Sequence, residues 1–342
     1  MLKIWILIFA FFSSCTRPIY AASADYHLVG WFNAFIPGGG EVLLDDWTLA
    51  AAQSSLEIGT FAWGYSLSAK SPLTLDGVPE NIPNPHLNGL AQIGKNICSR
   101  RNSHGICIRN GASVGSSPYT GLISTADISE QIKADFLQEV GIKTHFVDVF
   151  NSYRKAGATG QVDQEDTSSL FLAPFRYENL SDSYVLFGLL VSLGFHTYLY
   201  LNEGVTPTAP LNASSNTQYG LMYTLGYPVG SAAPEEMFYR GFLQNEFLGM
   251  TGSPYLAVPL SSAAYLFSHS SDSYMSAGVS GLYLGSLTYL NNGKLSKGIA
   301  FHFWSDIIMG IHAILSLQRN EHPSQTDLAG ANVSLIQMKF DY

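Results

Sequence analysis

Charged side chains are scarce in this sequence of 342 residues, of which only 13% are Asp, Glu, Lys or Arg. A soluble domain typically carries about a quarter charged residues. The chain is also 46% hydrophobic, and its mean hydropathy is positive, at +0.12. This combination predicts a membrane protein with a substantial polar part.

Two further features are missing from the sequence. It has no cluster of Lys and Arg, and its formal net charge is −9. Because proteins that bind DNA or RNA present a basic patch to the phosphates, we expect no nucleic-acid partner. The sequence also has no internal repeat, which counts against a transporter built from paired inverted repeats.

Cysteine is rare as well, with three residues in the chain. Cys98 and Cys107 flank a polar loop, and in an exported protein a disulfide between them is expected. The other interpretation is a pair of free thiols. The neighbouring residues lack the further ligands that a zinc site needs.

The N-terminus has the features of a secretory signal peptide, predicted over residues 1–24. Lys3 gives it a positive end, and residues 4–12 form an apolar stretch too short to span a bilayer. Small residues around Ala21 suit cleavage. Lipidation at Cys15 is a second possibility, and an uncleaved anchor is a third.

The remaining chain divides into four parts. Residues 25–70 predict a hydrophobic hairpin or re-entrant element around a Pro-Gly-Gly-Gly turn. Residues 71–178 predict a polar, periplasmic region with one amphipathic helix, and residues 319–342 form a C-terminal tail. Between them, residues 179–318 predict a membrane domain.

Hydrophobic helices dominate that membrane domain. Ser183–Leu201 contains no Asp, Glu, Lys or Arg and is the best candidate for a membrane span. The fold class predicted is all-α, a polytopic transmembrane bundle in the C-terminal half with an exported, mixed or irregular N-terminal region. We expect it in a bacterial inner membrane, in contact with lipid. Four more helices follow the first, at about 221–250 (broken by Pro228 and Pro234), 254–270, 273–290 and 297–317.

Ionisable residues within these apolar helices mark the candidate site, because such residues are costly in a membrane and are usually functional. Pro234 suits the first turn of a helix, so Glu235 and Glu236 are expected in that turn. Glu236 and Arg240, four residues apart, can pair on one face of the helix. Glu235 then stays available as a general base toward water.

Three more residues complete the predicted cluster. His269 ends the helix at 254–270, while His302 and Asp306 share a face of the last helix. A base must deprotonate water, and a donor or a metal must stabilise the oxyanion that develops. His269, His302, Asp306 and Glu235 are also suitable ligands for a divalent metal such as zinc.

The motifs Glu-Glu-x-x-x-Arg, aromatic-x-x-x-His and His-x-x-x-Asp, in this order on successive hydrophobic helices, resemble the CAAX protease and bacteriocin-processing family (CPBP, or Abi). The resemblance covers about Ser183–Leu317. It implies an intramembrane endopeptidase acting on a peptide or membrane protein, with a mechanism that uses either glutamate-activated water or a metal.

The resemblance also implies roles for single residues. Glu235 would activate water with His269, and Glu236 with Arg240 would hold the geometry of their helix. His302 and Asp306 would lie on the oxyanion or metal side. Many family members have Asn where Asp306 stands, and an ionised Asp cannot donate to an oxyanion. Asp306 must therefore be protonated, orient His302 or bind a metal.

A second departure is Tyr265, where the family usually has Phe; we expect it to form part of an apolar wall. Taken singly, each motif is more often structural than catalytic. The hypothesis that competes with a peptidase is therefore a non-catalytic membrane scaffold, immunity or chaperone-like protein that retains the motif.

Overall fold

The computed structural model of this chain describes residues 25–70, 108–109, 112–113, 125–158, 162–202, 221–269 and 274–321. The predicted signal peptide and the predicted Cys98–Cys107 disulfide lie outside these residues. Within them the chain is helical, apart from one short antiparallel pair of strands, β1 (Ile108–Arg109) and β2 (Ala112–Ser113).

Three helices form the N-terminal part. The chain runs through α1 (Tyr26–Phe35), a turn, the short α2 (Gly39–Leu43) and the long α3 (Trp47–Lys70). The Asp25 carboxylate caps α1 by accepting a hydrogen bond from the His27 backbone N–H. The two longer helices lie on either side of the Pro-Gly-Gly-Gly segment, and the hairpin or re-entrant element stays a prediction.

A long helix, α4 (Thr125–Lys155), crosses the predicted polar region and packs along α3 and α1. Of the apolar stripe that the helical periodicity predicts on this helix, Val149, Phe150 and Tyr153 are buried, whereas Phe136 is exposed. The sequence predicts Lys143 away from the apolar stripe, and this prediction was wrong, because Lys143 is buried too.

Short elements connect α4 to the C-terminal helices. They are α5 (Thr167–Phe171), a 3-10 turn (Ala173–Phe175) and α6 (Tyr177–Leu180), followed by α7 (Ser183–Asn202). The chain is described again from residue 221, where a continuous helical segment extends to Thr251.

This segment alternates between two hydrogen-bonding patterns. A π-helical turn, π1 (Met222–Gly226), leads into α8 (Tyr227–Glu235), which continues as a second π segment, π2 (Glu236–Leu243), and ends as α9 (Gln244–Thr251). Pro234 lies inside α8 and begins no helix. The prediction that it occupies a first turn was wrong, because the helix begins before Pro234 and continues past it into the π pattern.

Three helices complete the structure: α10 (Pro254–Ser268), α11 (Tyr274–Leu290) and α12 (Ser296–Glu321). Their boundaries agree with the predicted ones within a few residues. The main hydrophobic core lies where α4 meets π2 and α12. It contains Phe150 and Tyr153 of α4, Met237 and Phe242 of π2, and Ile299 of α12.

Among the described residues, one helix is long and apolar enough to cross a membrane by length and composition: Ser183–Leu201 within α7. Only 11% of this stretch is buried against the rest of the protein. α10 and α11 have 15 and 17 residues and are shorter than a typical span of about 20 residues. The all-α prediction is confirmed for the described residues, whereas the polytopic arrangement stays a prediction.

One edge of α7 is fixed against α11 and α12. A Cβ added at Gly188 would lie 2.7 Å from the Tyr283 hydroxyl and 2.8 Å from the Phe301 ring. At the start of α7, Lys297 of α12 contacts Asp182 at 2.6 Å. Partial burial opposes ionisation of Asp182, but hydrogen bonds from Lys297 and from the Val185 and Tyr184 backbone N–H groups hold its pKa below its ordinary value.

Gly188→Leu should loosen this packing. Because the added side chain overlaps two rings, we expect a loss of about 1–3 kcal/mol in the free energy of unfolding. Gly194→Leu on the same helix is the matched control, since a Cβ there meets no described atom within 4 Å. Thermal unfolding of both variants in detergent is the measurement; equal stability of the two would contradict this packing of α7.

Candidate active site

A fully buried ion pair lies at the start of π2. Arg240 donates from Nη1 to Glu236 Oε1 at 3.2 Å, and both side chains are 0% exposed. Nη2 of Arg240 donates to the Gly281 carbonyl of α11 at 3.2 Å, and its guanidinium lies 4.4 Å from the centre of the Tyr265 ring. The structure therefore contains the predicted Glu236–Arg240 pair and ties it to α10 and α11.

The other glutamate of the motif also has a basic partner. Lys143 of α4 donates to Glu235 Oε1 at 2.5 Å, and both residues are buried. The expectation that Glu235 is a free carboxylate was wrong on this point. Its second oxygen, Oε2, is buried and accepts no hydrogen bond from the described residues. Glu235 is thus held at one oxygen and left with acceptor capacity at the other.

Sequence reasoning did not find Lys143, because it is 92 positions from Glu235 and belongs to a different predicted region. One signal was available. Lys143 follows Phe136 by seven residues and Val140 by three, so it shares their helix face. A lysine on an apolar face needs a buried counter-charge or a route to water.

His302 of α12 lies between the two glutamates. Its Nδ1 is 2.9 Å from Glu236 Oε1, and its Nε2 is 3.7 Å from Glu235 Oε2. An ionised carboxylate only accepts hydrogen bonds, so Nδ1 carries a proton directed at Glu236. This contact fixes the ring with Nε2 facing Glu235.

Two more side chains surround Nε2 of His302. Asp306 Oδ2 lies 3.5 Å from it and also accepts a hydrogen bond from the Ser231 hydroxyl at 3.3 Å. The Tyr265 hydroxyl lies 3.5 Å from the same nitrogen. Tyr265 therefore contributes a polar group to the cluster and is more than the apolar wall predicted from the sequence.

His269 follows the last residue of α10 and caps that helix. Its Nδ1 is 2.7 Å from the Tyr265 carbonyl oxygen, which can only accept, so Nδ1 is the protonated nitrogen. The ring packs on Tyr265, with centroids 4.3 Å apart, and is close enough to Glu235 to interact electrostatically. All six predicted site residues therefore lie in one region.

The metal set predicted from the sequence has no preformed counterpart in the described part of the chain. There, no group of three or more His, Cys, Asp or Glu side chains is arranged to hold a metal ion. Nδ1 of His302 is directed at Glu236 and Nδ1 of His269 at a carbonyl, so each ring offers only its Nε2 to another ligand.

A comparison with known protein families gives a match in the C-terminal half. Residues 217–308 match the Rce1-like family, described as type II CAAX prenyl endopeptidase Rce1-like. This segment is similar to that family, and we call it the Rce1-like domain. No curated protein and no solved structure matches the chain. The match covers a little over a quarter of the sequence and confirms the predicted resemblance to the CAAX protease family.

The Rce1-like domain contains Glu235, Arg240, His269, His302 and Asp306 in the order of the motifs, and Glu236 beside the first. The family is a membrane-associated protease family, which supports the prediction of an enzyme. Lys143 lies outside the matched residues. The site described here is therefore completed by a helix that precedes the Rce1-like domain.

Lys143→Met should destabilise the protein strongly. The substitution leaves Glu235 buried without its counter-charge, and breaking a buried ion pair in this way costs about 3–5 kcal/mol. Lys155→Met is the matched control on the same helix, because Lys155 pairs with Asp46 at the surface. The measurement is the free energy of unfolding in detergent, which we expect to fall strongly in Lys143→Met and to change little in Lys155→Met. Similar losses in the two variants would contradict a buried Lys143–Glu235 pair.

Proposed function

We propose that the protein is an intramembrane endopeptidase that hydrolyses a peptide bond in or near the bilayer. The observation that carries this proposal is the set of contacts made by the two carboxylate oxygens of Glu235. One carboxylate oxygen is fixed by Lys143, and the other is buried, accepts no hydrogen bond from the described residues and faces Nε2 of His302. A positioned carboxylate of this kind is suited to act as a general base.

A membrane location is supported by where the apolar side chains lie. Phe187 and Leu190 of α7 are exposed although the helix is long enough to span a bilayer. Met275 and Val279 of α11 are exposed as well, while the charged residues of the motifs are buried. We propose that lipid covers these apolar faces, in a polytopic arrangement in a bacterial inner membrane with an exported N-terminal region.

In the proposed first step, a water molecule binds to Glu235 Oε2. Glu235 takes one proton from the water as the oxygen attacks the carbonyl carbon of the substrate peptide. Lys143 keeps the carboxylate oriented through Oε1 during this step. His269, which Tyr265 holds through its backbone carbonyl, lies beside Glu235 and helps to position the water.

The attack produces an oxyanion, which needs hydrogen-bond donors. The Tyr265 hydroxyl and the Nε2–H of a His302 ring protonated at both nitrogens are proposed for this role, with Glu236 and Asp306 orienting the ring from its two nitrogens. The proton held by Glu235 then passes to the amide nitrogen, the C–N bond breaks, and a carboxylate and an amine are released.

A divalent metal is the alternative source of activation. Bound to Nε2 of the two histidines and to the carboxylates of Glu235 and Asp306, it would lower the pKa of a water molecule and polarise the carbonyl. Metal analysis of the purified protein distinguishes the two mechanisms. If the wild-type protein contains a stoichiometric divalent ion and His302→Ala has lost it, the result would identify these residues as metal ligands.

Glu235→Gln should reduce cleavage about 10²–10⁴-fold, because the amide cannot accept the proton of water. The measurement is the rate of product formation from membrane-embedded peptides, followed by mass spectrometry with detergent-purified protein. Glu57→Gln is the matched control: Glu57 is also a buried glutamate with one basic partner, His145, at 2.9 Å, but it lies outside the motifs. We expect Glu57→Gln to retain activity.

Two results would contradict the proposal. Cleavage by Glu235→Gln at the wild-type rate would exclude Glu235 as the base. A folded wild-type protein that cleaves no peptide or membrane-protein substrate, in detergent or in liposomes, would favour the non-catalytic scaffold, immunity or chaperone-like function.

A further inference from the structure

The two oxygens of the Glu236 carboxylate have different surroundings. Oε1 accepts a hydrogen bond from Arg240 Nη1 at 3.2 Å and lies 2.9 Å from Nδ1 of His302. Oε2 is buried and accepts no hydrogen bond from any residue that the structure describes. A buried carboxylate oxygen without a donor is costly, so a partner for Oε2 is expected.

A hydroxyl on the neighbouring helix α11 is in the same condition. Thr288 is 1% exposed, and its Oγ1 has no hydrogen-bond partner within the described part of the chain. A threonine in a helix can donate to the carbonyl four residues earlier, as Thr60 of α3 does to Leu56 at 2.7 Å. Thr288 makes no such bond, so its hydroxyl is available to a group outside its own helix.

Gly298 of α12 shows that these two oxygens line one small space. A Cβ placed on Gly298 would lie 3.5 Å from Glu236 Oε2 and 3.5 Å from Thr288 Oγ1. The next atom is Leu284 Cδ2 at 3.8 Å. The two oxygens make no hydrogen bond to each other, and a water molecule can accept from a hydroxyl while it donates to a carboxylate. Empty cavities in proteins are apolar, whereas a space lined by polar atoms holds water.

We propose that a buried water molecule beside Gly298 bridges Thr288 Oγ1 and Glu236 Oε2, and that Thr288 is a positioning residue of the active site. The water accepts the proton of the Thr288 hydroxyl and donates to Oε2, so both buried oxygens gain a partner. The positioning role rests on the proposed function; the water site does not.

Helix α11 then holds the Glu236–Arg240 pair at two points. The Gly281 carbonyl accepts from Arg240 Nη2 at 3.2 Å, and Thr288 lies seven residues later on the same face of the helix. The first contact fixes the guanidinium, and the water fixes the carboxylate. Because Oε1 of this carboxylate orients the His302 ring, Thr288 acts on the site through Glu236.

The water is tested first, and this test does not depend on activity. Structures of wild type, Thr288→Val and Gly298→Ala are determined at a resolution that shows ordered water. We expect density between Thr288 and Glu236 in wild type and none in the variants. Thr288→Val removes the hydroxyl at nearly constant volume, and the methyl group of Gly298→Ala makes ordinary contacts but takes up the space of the water. No water in a well-ordered wild-type map, or an unchanged water in Gly298→Ala, would overturn the inference.

The positioning role is tested by the kinetics of peptide cleavage. Thr288→Val should lower kcat about 10-fold and leave KM unchanged, because Glu236 and the His302 ring are held less precisely. Thr288→Ser keeps the hydroxyl and should restore kcat. Thr60→Val is the matched control, since the Thr60 hydroxyl already bonds its own helix, away from the site. A wild-type kcat in Thr288→Val would overturn the positioning role.

A double variant shows whether Thr288 and Gly298 act through one water molecule. If they do, Thr288→Val combined with Gly298→Ala lowers kcat no further than either change alone. Losses that multiply would contradict a shared water. Gly194→Ala is the control for adding a methyl group to a helix, because a Cβ there meets no described atom within 4 Å, and we expect it to keep kcat. A wild-type protein that contains the water but cleaves no peptide would support the water site and contradict the proposed function.

Discussion

A buried chain of ionic contacts holds the site together. Lys143 binds Glu235, His302 lies between Glu235 and Glu236, and Arg240 binds Glu236. Burying so many charges is costly unless each is paired and hydrogen-bonded. These ionic contacts therefore fix the relative positions of α4, of the continuous helix through π2 and of α12. The same pairing leaves one oxygen of Glu235 without a protein donor in the described structure, and this oxygen is the group that the proposed chemistry uses.

The backbone at the motif has a specific form. Pro234 cannot donate a hydrogen bond, and from Glu236 to Leu243 the helix adopts a π pattern, with the Gln244 N–H bonded to the Tyr239 carbonyl. π segments are rare and occur frequently at functional sites. Here the segment carries Glu236 and Arg240, and Met237 and Phe242 of the same segment lie in the main core. The π segment therefore contributes both to the site and to the packing.

Much of the C-terminal half could be predicted from its sequence. Runs of apolar residues ended by Gly, Asn or Pro define α10, α11 and α12, and the order of the motifs places the six site residues together. The contact between Lys143 and Glu235 could not be predicted in the same way. Periodicity along α4 indicates which face of the helix a residue occupies, but it does not identify a partner 92 positions away. The π pattern was also missed, because proline in a helical sequence predicts a start or a break, and continuation depends on packing that periodicity does not contain.

The most direct test of this account is a double-mutant cycle on Lys143→Met and Glu235→Gln, measured as free energies of unfolding in detergent. Each single variant leaves a buried group without its partner, whereas the double variant removes both. We predict that the double variant is less destabilised than the sum of the two, by about 3 kcal/mol. Additive losses, within about 0.5 kcal/mol, would contradict a direct Lys143–Glu235 interaction and with it the proposed positioning of the base.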